Sequence, residues 1–152
     1  MKDFKKILFP VDLSEVSPKI APWVLATAQK YDAEVLLLFV ARRFDQYSGL
    51  SVPIDTIENI ENQIIKGAET KIEEFVDSCF KGYPKCRAKV VQGDAAEEIL
   101  NYITSENVDL VIIGTHGRKG LERVLFGSVA ERVIKVSPAP VLSINPYKVP
   151  EP

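Results

Sequence analysis

Residues 109–128 read DLVIIGTHGRKGLERVLFGS. An apolar run, Leu110–Ile113, has the length and composition of a buried strand, and a helical pattern resumes at Ser128. Between them lie Gly114, Gly117, Gly120 and Gly127, with Arg118, Lys119, Glu122 and Arg123 among them. A plain strand-to-helix connection takes about two to six residues, so this one is long. Glycine lets backbone N–H groups approach an anion with no Cβ in the way. A helix start adds unpaired N–H groups and the positive end of a dipole. Gly127-Ser128 brings both together. Turn chemistry explains the same residues, because Ser128 with Glu131 also reads as a capping box. No GxxxxGK[ST] is present and no GxGxxG follows the first apolar run. At this level the phosphate cradle and the ordinary loop stand side by side.

Working outward, KILFPVD (Lys6–Asp12) and EVLLLFVA (Glu34–Ala41) are two more unbroken apolar runs, as strands buried on both faces require. RAKVVQG (Arg87–Gly93) alternates and reads as an edge strand, and APVLSIN (Ala139–Asn145) as a short last strand. Helical spacing fills the intervals. Ile57, Ile60, Ile64, Ala68, Ile72, Phe75 and Cys79 form one stripe over Thr56–Cys79, with a capping box at Asp55 and Glu58. Asp94 and Glu97 offer another box before the third helix. The first helix is expected over Ser14–Tyr31, with Ser17 and Pro18 at its start, a kink at Pro22, and Trp23 and Tyr31 packed on the sheet. Strand and helix alternate throughout, which predicts an α/β domain with a parallel sheet and right-handed crossovers. In such doubly wound sheets ligands lie at the carboxyl ends of strands where the strand order reverses.

Composition narrows the function. The 152 residues suit one domain, placed at 1–146 with a tail over 147–152. A net charge of −2 gives no basic field for nucleic acid. The apolar runs fall far short of the roughly 20 residues of a membrane span. Cys79 and Cys86 have one histidine in the whole chain for company, which is too few ligands for zinc; both read as reduced, mostly structural thiols of a cytoplasmic protein, with a local disulfide as the lesser alternative.

Gly114-x2-Gly117-x9-Gly127-Ser128 resembles the G-x2-G-x9-G-[S/T] signature of ATP-binding universal stress proteins. The resemblance extends over KKILFPVDLSEVS, LLLFV, VVQGDAAEEIL and APVLSI, and so over nearly the whole chain. It implies an open sheet of five parallel strands in the order 3-2-1-4-5, with helices on both faces. It also implies an ATP site. Pro10, Val11 and Asp12 would meet the nucleotide, the backbone at Val40 would hold the adenine, and Ile113 would line the pocket. Gly114, His116 and Gly117 would open the phosphate loop, and Gly127, Ser128 and Val129 would close it. Read from the residues alone, Arg118, Lys119 and Arg123 offer positive charge to screen phosphates, with ordinary solvated loop charges as the alternative reading. Where the family often has histidine and valine at the end of the second strand, this chain has Phe39-Val40; a backbone contact survives that change.

Asp12 offers a hard oxygen ligand for Mg²⁺ carried by the triphosphate. Its alternative role is a carboxylate satisfying the first amides of a helix. The resemblance further implies an antiparallel homodimer through Val141, Leu142 and Ile144, and a regulatory, stress-response function in which partners read the nucleotide state. A slow ATPase or phosphotransferase in the same pocket and a nucleotide-free interaction module are the rival readings. The insertion Arg42–Asp55 has no assigned role.

Overall fold

The computed structural model describes residues 3–43, 53–116 and 127–150. Along the chain it contains β1 (Lys6–Pro10), α1 (Ser17–Tyr31), β2 (Glu34–Ala41), α2 (Ile54–Cys79), β3 (Cys86–Gln92), α3 (Ala95–Ser105), β4 (Leu110–Gly114), α4 (Ser128–Val136) and β5 (Val141–Ile144). The five strands form one parallel sheet in the order β3-β2-β1-β4-β5. This is the expected order.

Alternation along each strand divides the core. Ile7, Phe9, Val11, Val35, Leu37 and Ile112 face α1 and α2, where they meet Ile20, Val24, Ile72 and Phe75. Leu8, Leu36, Leu38, Val111 and Ile113 face α3 and α4, against Ile99, Ile103, Ala130 and Val133. Both faces of β1, β2 and β4 are therefore covered, which is why their sequences are apolar without interruption. Phe9, Phe75 and Phe80 interlock at centroid separations of 6.1, 6.4 and 6.2 Å, within the range of favourable tilted ring pairs. Trp23 and Tyr31 are partly buried against the same layer.

The helix starts depart from expectation. In α1 the N-cap is Val16, and Ser17 is the first helical residue with no capping role. The helix then continues through Pro22, which is exposed, without a break. The Asp55–Glu58 box does not form: α2 begins at Ile54 behind Pro53, so Asp55 already lies inside the first turn. The Ser128–Glu131 box is also absent. Gly127 is the N-cap of α4, and Glu131 instead accepts from Lys135 Nζ at 2.9 Å. Only Asp94 caps as predicted, its carboxylate accepting from Glu97 N–H at 2.9 Å.

The apolar stripe of α2 is buried only in its second half, at Ala68, Ile72 and Phe75, while Ile60 and Ile64 are 42% and 40% exposed. Length accounts for this. A helix of 26 residues reaches about 39 Å, against about 26 Å for the eight residues of β2. Its first turns overhang the sheet.

Both cysteines are free thiols. Burial pushes the Cys86 thiol up to about 11. At the amino ends of the strands Arg87 bonds both Glu34 and Glu106, and the Arg87 guanidinium holds the Glu106 carboxyl below its usual range. Lys85 pairs with Asp32 at 2.7 Å beside them. This charged end lies across the sheet from the switch point.

Candidate functional site

β1 and β4 pair through Ile7–Leu110 and Leu8–Val111 at the middle of the sheet. Beyond that point the chain turns to α1 on one face and toward α4 on the other. The strand ends therefore open a crevice at the place where the order reverses. Pro10, Val11 and Asp12 form one lip; Ile113, Gly114, Thr115 and His116 form the other.

Val40 lies beside them near the end of β2. Leu38 still accepts from the Val11 N–H at 2.9 Å, and there β1 leaves the sheet. Peptide groups two residues apart on a strand point the same way. The Val40 N–H and C=O thus point to the side that β1 has vacated, and no backbone group among the described residues meets them there.

Asp12 does not satisfy the first amides of α1. Its Oδ1 accepts from Ser14 N–H at 3.0 Å, Ser14 Oγ–H at 2.7 Å and Ser17 Oγ–H at 3.0 Å. Leu13, between them, has φ 58°. A left-handed non-glycine residue costs about 1–2 kcal/mol, and such strain concentrates at functional sites.

On the other lip, Gly127 N–H donates to the Thr115 carbonyl at 2.8 Å, tying the start of α4 to the end of β4. Ser128, Val129 and Ala130 open the helix with no side-chain cap, and Ser128 is exposed. Their N–H groups have no intrahelical acceptor by the geometry of any helix start. An uncapped first turn beside a crevice is an anion site in form.

The two glycines here have different causes. A Cβ on Gly114 would lie 2.4 Å from Ile20 Cδ1, so the buried Ile20 side chain would have to shift to admit one. Gly127 has φ −58° and ψ 145°, which any residue adopts, and a Cβ there would meet nothing closer than the Thr115 oxygen at 3.7 Å. Neither backbone nor packing among the described residues requires glycine at 127. What glycine leaves open is the approach to the first-turn amides.

His116 is buried, its Nδ1 2.8 Å from Thr115 Oγ1. Its ring meets the Tyr147 ring edge-on at 5.5 Å, and Lys19 Nζ stands 5.1 Å from the centre of Tyr147. The C-terminal segment is thus folded through Val149, held by a turn in which Asn145 Oδ1 accepts from Tyr147 N–H at 3.0 Å. Sequence reasoning set Tyr147 in a tail and missed Lys19, Thr115 and the pairing of Ser17 with Asp12. Only the Asp12, Ser14 and Ser17 spacing carried a signal, and helix capping absorbed it. Gly117 and Arg118 lie outside the described residues, as does most of the Arg42–Asp55 insertion. Among the described residues no group of three acidic, histidine or cysteine side chains can hold a metal unaided, and no helix is long and apolar enough to cross a membrane.

The profile of the universal stress protein family matches residues 3–145. The chain belongs to the universal stress protein family. Among curated universal stress proteins, MJ0577 of Methanocaldococcus jannaschii is 33% identical over 93% of this chain and 95% of its own length. MJ0531 of the same organism is 32% identical over 95% and 84%. The solved structure of MJ0577 superposes with a TM-score of 0.82, covering 95% of this chain and 97% of that one at 32% identity. A universal stress protein in complex with cAMP (TM-score 0.61, 17% identity, 95% and 99% covered) and one from Arabidopsis thaliana with AMP bound (0.60, 19%, 93% and 90%) share the fold. Those ligands belong to those proteins.

Proposed function

We propose that this universal stress protein binds ATP with Mg²⁺ in the crevice between β1 and β4, and acts as a homodimeric cytoplasmic regulator whose nucleotide state partners read. The observation that carries the reading is Gly127: a glycine that packing among the described residues does not need, at the start of an uncapped helix facing the switch point. Phosphates would rest on the Ser128, Val129 and Ala130 amides with the Ser128 hydroxyl beside them. The adenine would use the Val40 peptide edge, and Pro10, Val11 and Ile113 would supply apolar walls. Gly114 would serve by letting Ile20 pack at the base, and His116 by bracing the Thr115 turn from behind. Relatives of the same fold with AMP or cAMP bound support an adenine nucleotide as the ligand class. Mg²⁺ typically binds one or two carboxylates together with substrate phosphates and water, so Asp12 alone is a sufficient protein ligand.

Calorimetric titration with Mg-ATP, after stripping any copurified nucleotide, is expected to show saturable binding at one site per chain. An absence of heat and of any rise in melting temperature would remove the nucleotide reading.

The two edges of the sheet support the dimer. On β3, Arg87 and Lys89 are exposed, and edge charges of that kind oppose pairing with another chain. On β5, Val141, Leu142 and Ser143 carry no charge, Leu142 is 45% exposed, and Val136 of α4 is 60% exposed. Ile144 is spent on the core at 6% exposure, so it would contribute backbone rather than side chain. Leu142→Asp should convert a dimer to a folded monomer in sedimentation velocity. An unchanged dimer would move the interface elsewhere.

A further inference from the structure

Ser17 is buried at 2% exposure and does no capping, since Val16 holds that position in α1. Its hydroxyl reaches back five residues to Asp12 Oδ1 at 3.0 Å. Ser14 adds its hydroxyl at 2.7 Å and its N–H at 3.0 Å to the same oxygen. The left-handed turn at Leu13 folds the chain so that these donors face backward. Three donors on one oxygen fix both the position and the rotation of the carboxylate. Oδ2 accepts no hydrogen bond among the described residues and retains its lone pairs for a ligand.

We infer that Ser17, with Ser14, is a positioning residue that presents Asp12 Oδ2 to the cation accompanying the bound nucleotide. This rests on the nucleotide reading above and deepens it. Mg²⁺ demands near-ideal octahedral geometry, so a carboxylate free to rotate is a poorer ligand than one already held. Partners that orient a ligating carboxylate typically contribute about 10–100-fold to metal affinity. The arrangement also explains why a buried serine, at the first position of a helix with no cap, bonds a carboxylate instead of the helix's own amides.

The test is ATP titration in Mg²⁺ and again in EDTA, on the wild type, Ser17→Ala, Ser14→Ala, Asp12→Asn and the Ser17→Ala/Asp12→Asn pair. Ser17→Ala is expected to lose about tenfold of the affinity measured in Mg²⁺ and none of that in EDTA. In the Asp12→Asn background the same substitution should cost nothing further. Equal losses in Mg²⁺ and EDTA, additive losses in the pair, or no loss at all would each overturn the inference while leaving the nucleotide site standing. Wild-type protein that binds no ATP under either condition overturns both readings together. Ser14→Ala, at a less buried position, gives the same comparison should Ser17→Ala fold poorly; its preserved N–H predicts a smaller loss with the same dependence on Mg²⁺.

Discussion

Gly127→Val is expected to weaken ATP binding by about 100-fold or more and to leave the fold intact. Its backbone, at φ −58° and ψ 145°, accepts a β-branched residue, and a Cβ would meet the Thr115 oxygen at an ordinary 3.7 Å. The melting temperature should therefore stay within about one or two degrees of the parent's, as for a substitution worth about half a kcal/mol in a domain of this size. Binding is another matter. The valine methyl groups would stand over the Ser128, Val129 and Ala130 amides and hold a phosphate away. A hydrogen bond to a charged group contributes about 1.5–3 kcal/mol, so losing two reaches the stated factor. Calorimetry on the folded variant decides it. Undiminished affinity would mean that the phosphates lie somewhere other than the start of α4.

Gly114→Ala should do the opposite and cost stability, about 1–3 kcal/mol by the usual scale for overpacking a core. The new methyl would sit 2.4 Å from Ile20 Cδ1 and 3.3 Å from the His116 carbonyl oxygen. Ile20 is 3% exposed, so its terminal methyl has little room to retreat. A second substitution makes the cause visible. Ile20→Val removes the offending atom and by itself costs about 0.5–1.5 kcal/mol. In the Gly114→Ala background it should cost nothing or restore stability, a coupling that urea denaturation of the four proteins measures directly. Simple additivity would show that Ile20 is not what excludes a side chain at 114. Coupling, with Gly127→Val impaired only in binding, would separate two glycines of one signature: one serves the interior, the other an incoming ligand.

The architecture was legible because burial on both faces of a parallel sheet leaves runs such as Val35–Leu38 with no polar interruption. The candidate site was read from glycine spacing and the resemblance it carries; of its glycines, Gly114 ends β4 and Gly127 precedes α4. Helix starts were not legible. Ser128–Glu131 and Asp55–Glu58 have the spacing of a capping box, yet each helix begins at a position that places its candidate cap inside the first turn. An offset of one residue at Ser128, or two at Asp55, is invisible to spacing. The exposure of Ile60 and Ile64 was hidden as well, because periodicity describes which face of a helix is apolar and not how far the sheet beneath it extends. Tyr147 was out of reach for a third reason. Its contacts with His116 and Lys19 join residues that are remote in sequence, and no local pattern encodes such a meeting.

The strand order carries a consequence for how the molecule is made. β1 leaves the ribosome first, yet it occupies the centre of the sheet and needs neighbours from both halves of the chain. β2 follows closely, so β1, β2 and β3 can assemble with α1 and α2 on one face once residue 92 has emerged. The other edge of β1 must wait for Leu110 and Val111, about a hundred positions downstream, and pairings so distant in sequence are slow to close. Until then the nascent protein carries an unprotected apolar ribbon, a hazard that chaperones exist to manage. The crevice between β1 and β4 is correspondingly late to form, with only β5 and the C-terminal turn still to follow. A ligand resting on the start of α4 could bind only a chain already extended through about residue 130, so its binding would report that β1 and β4 have met.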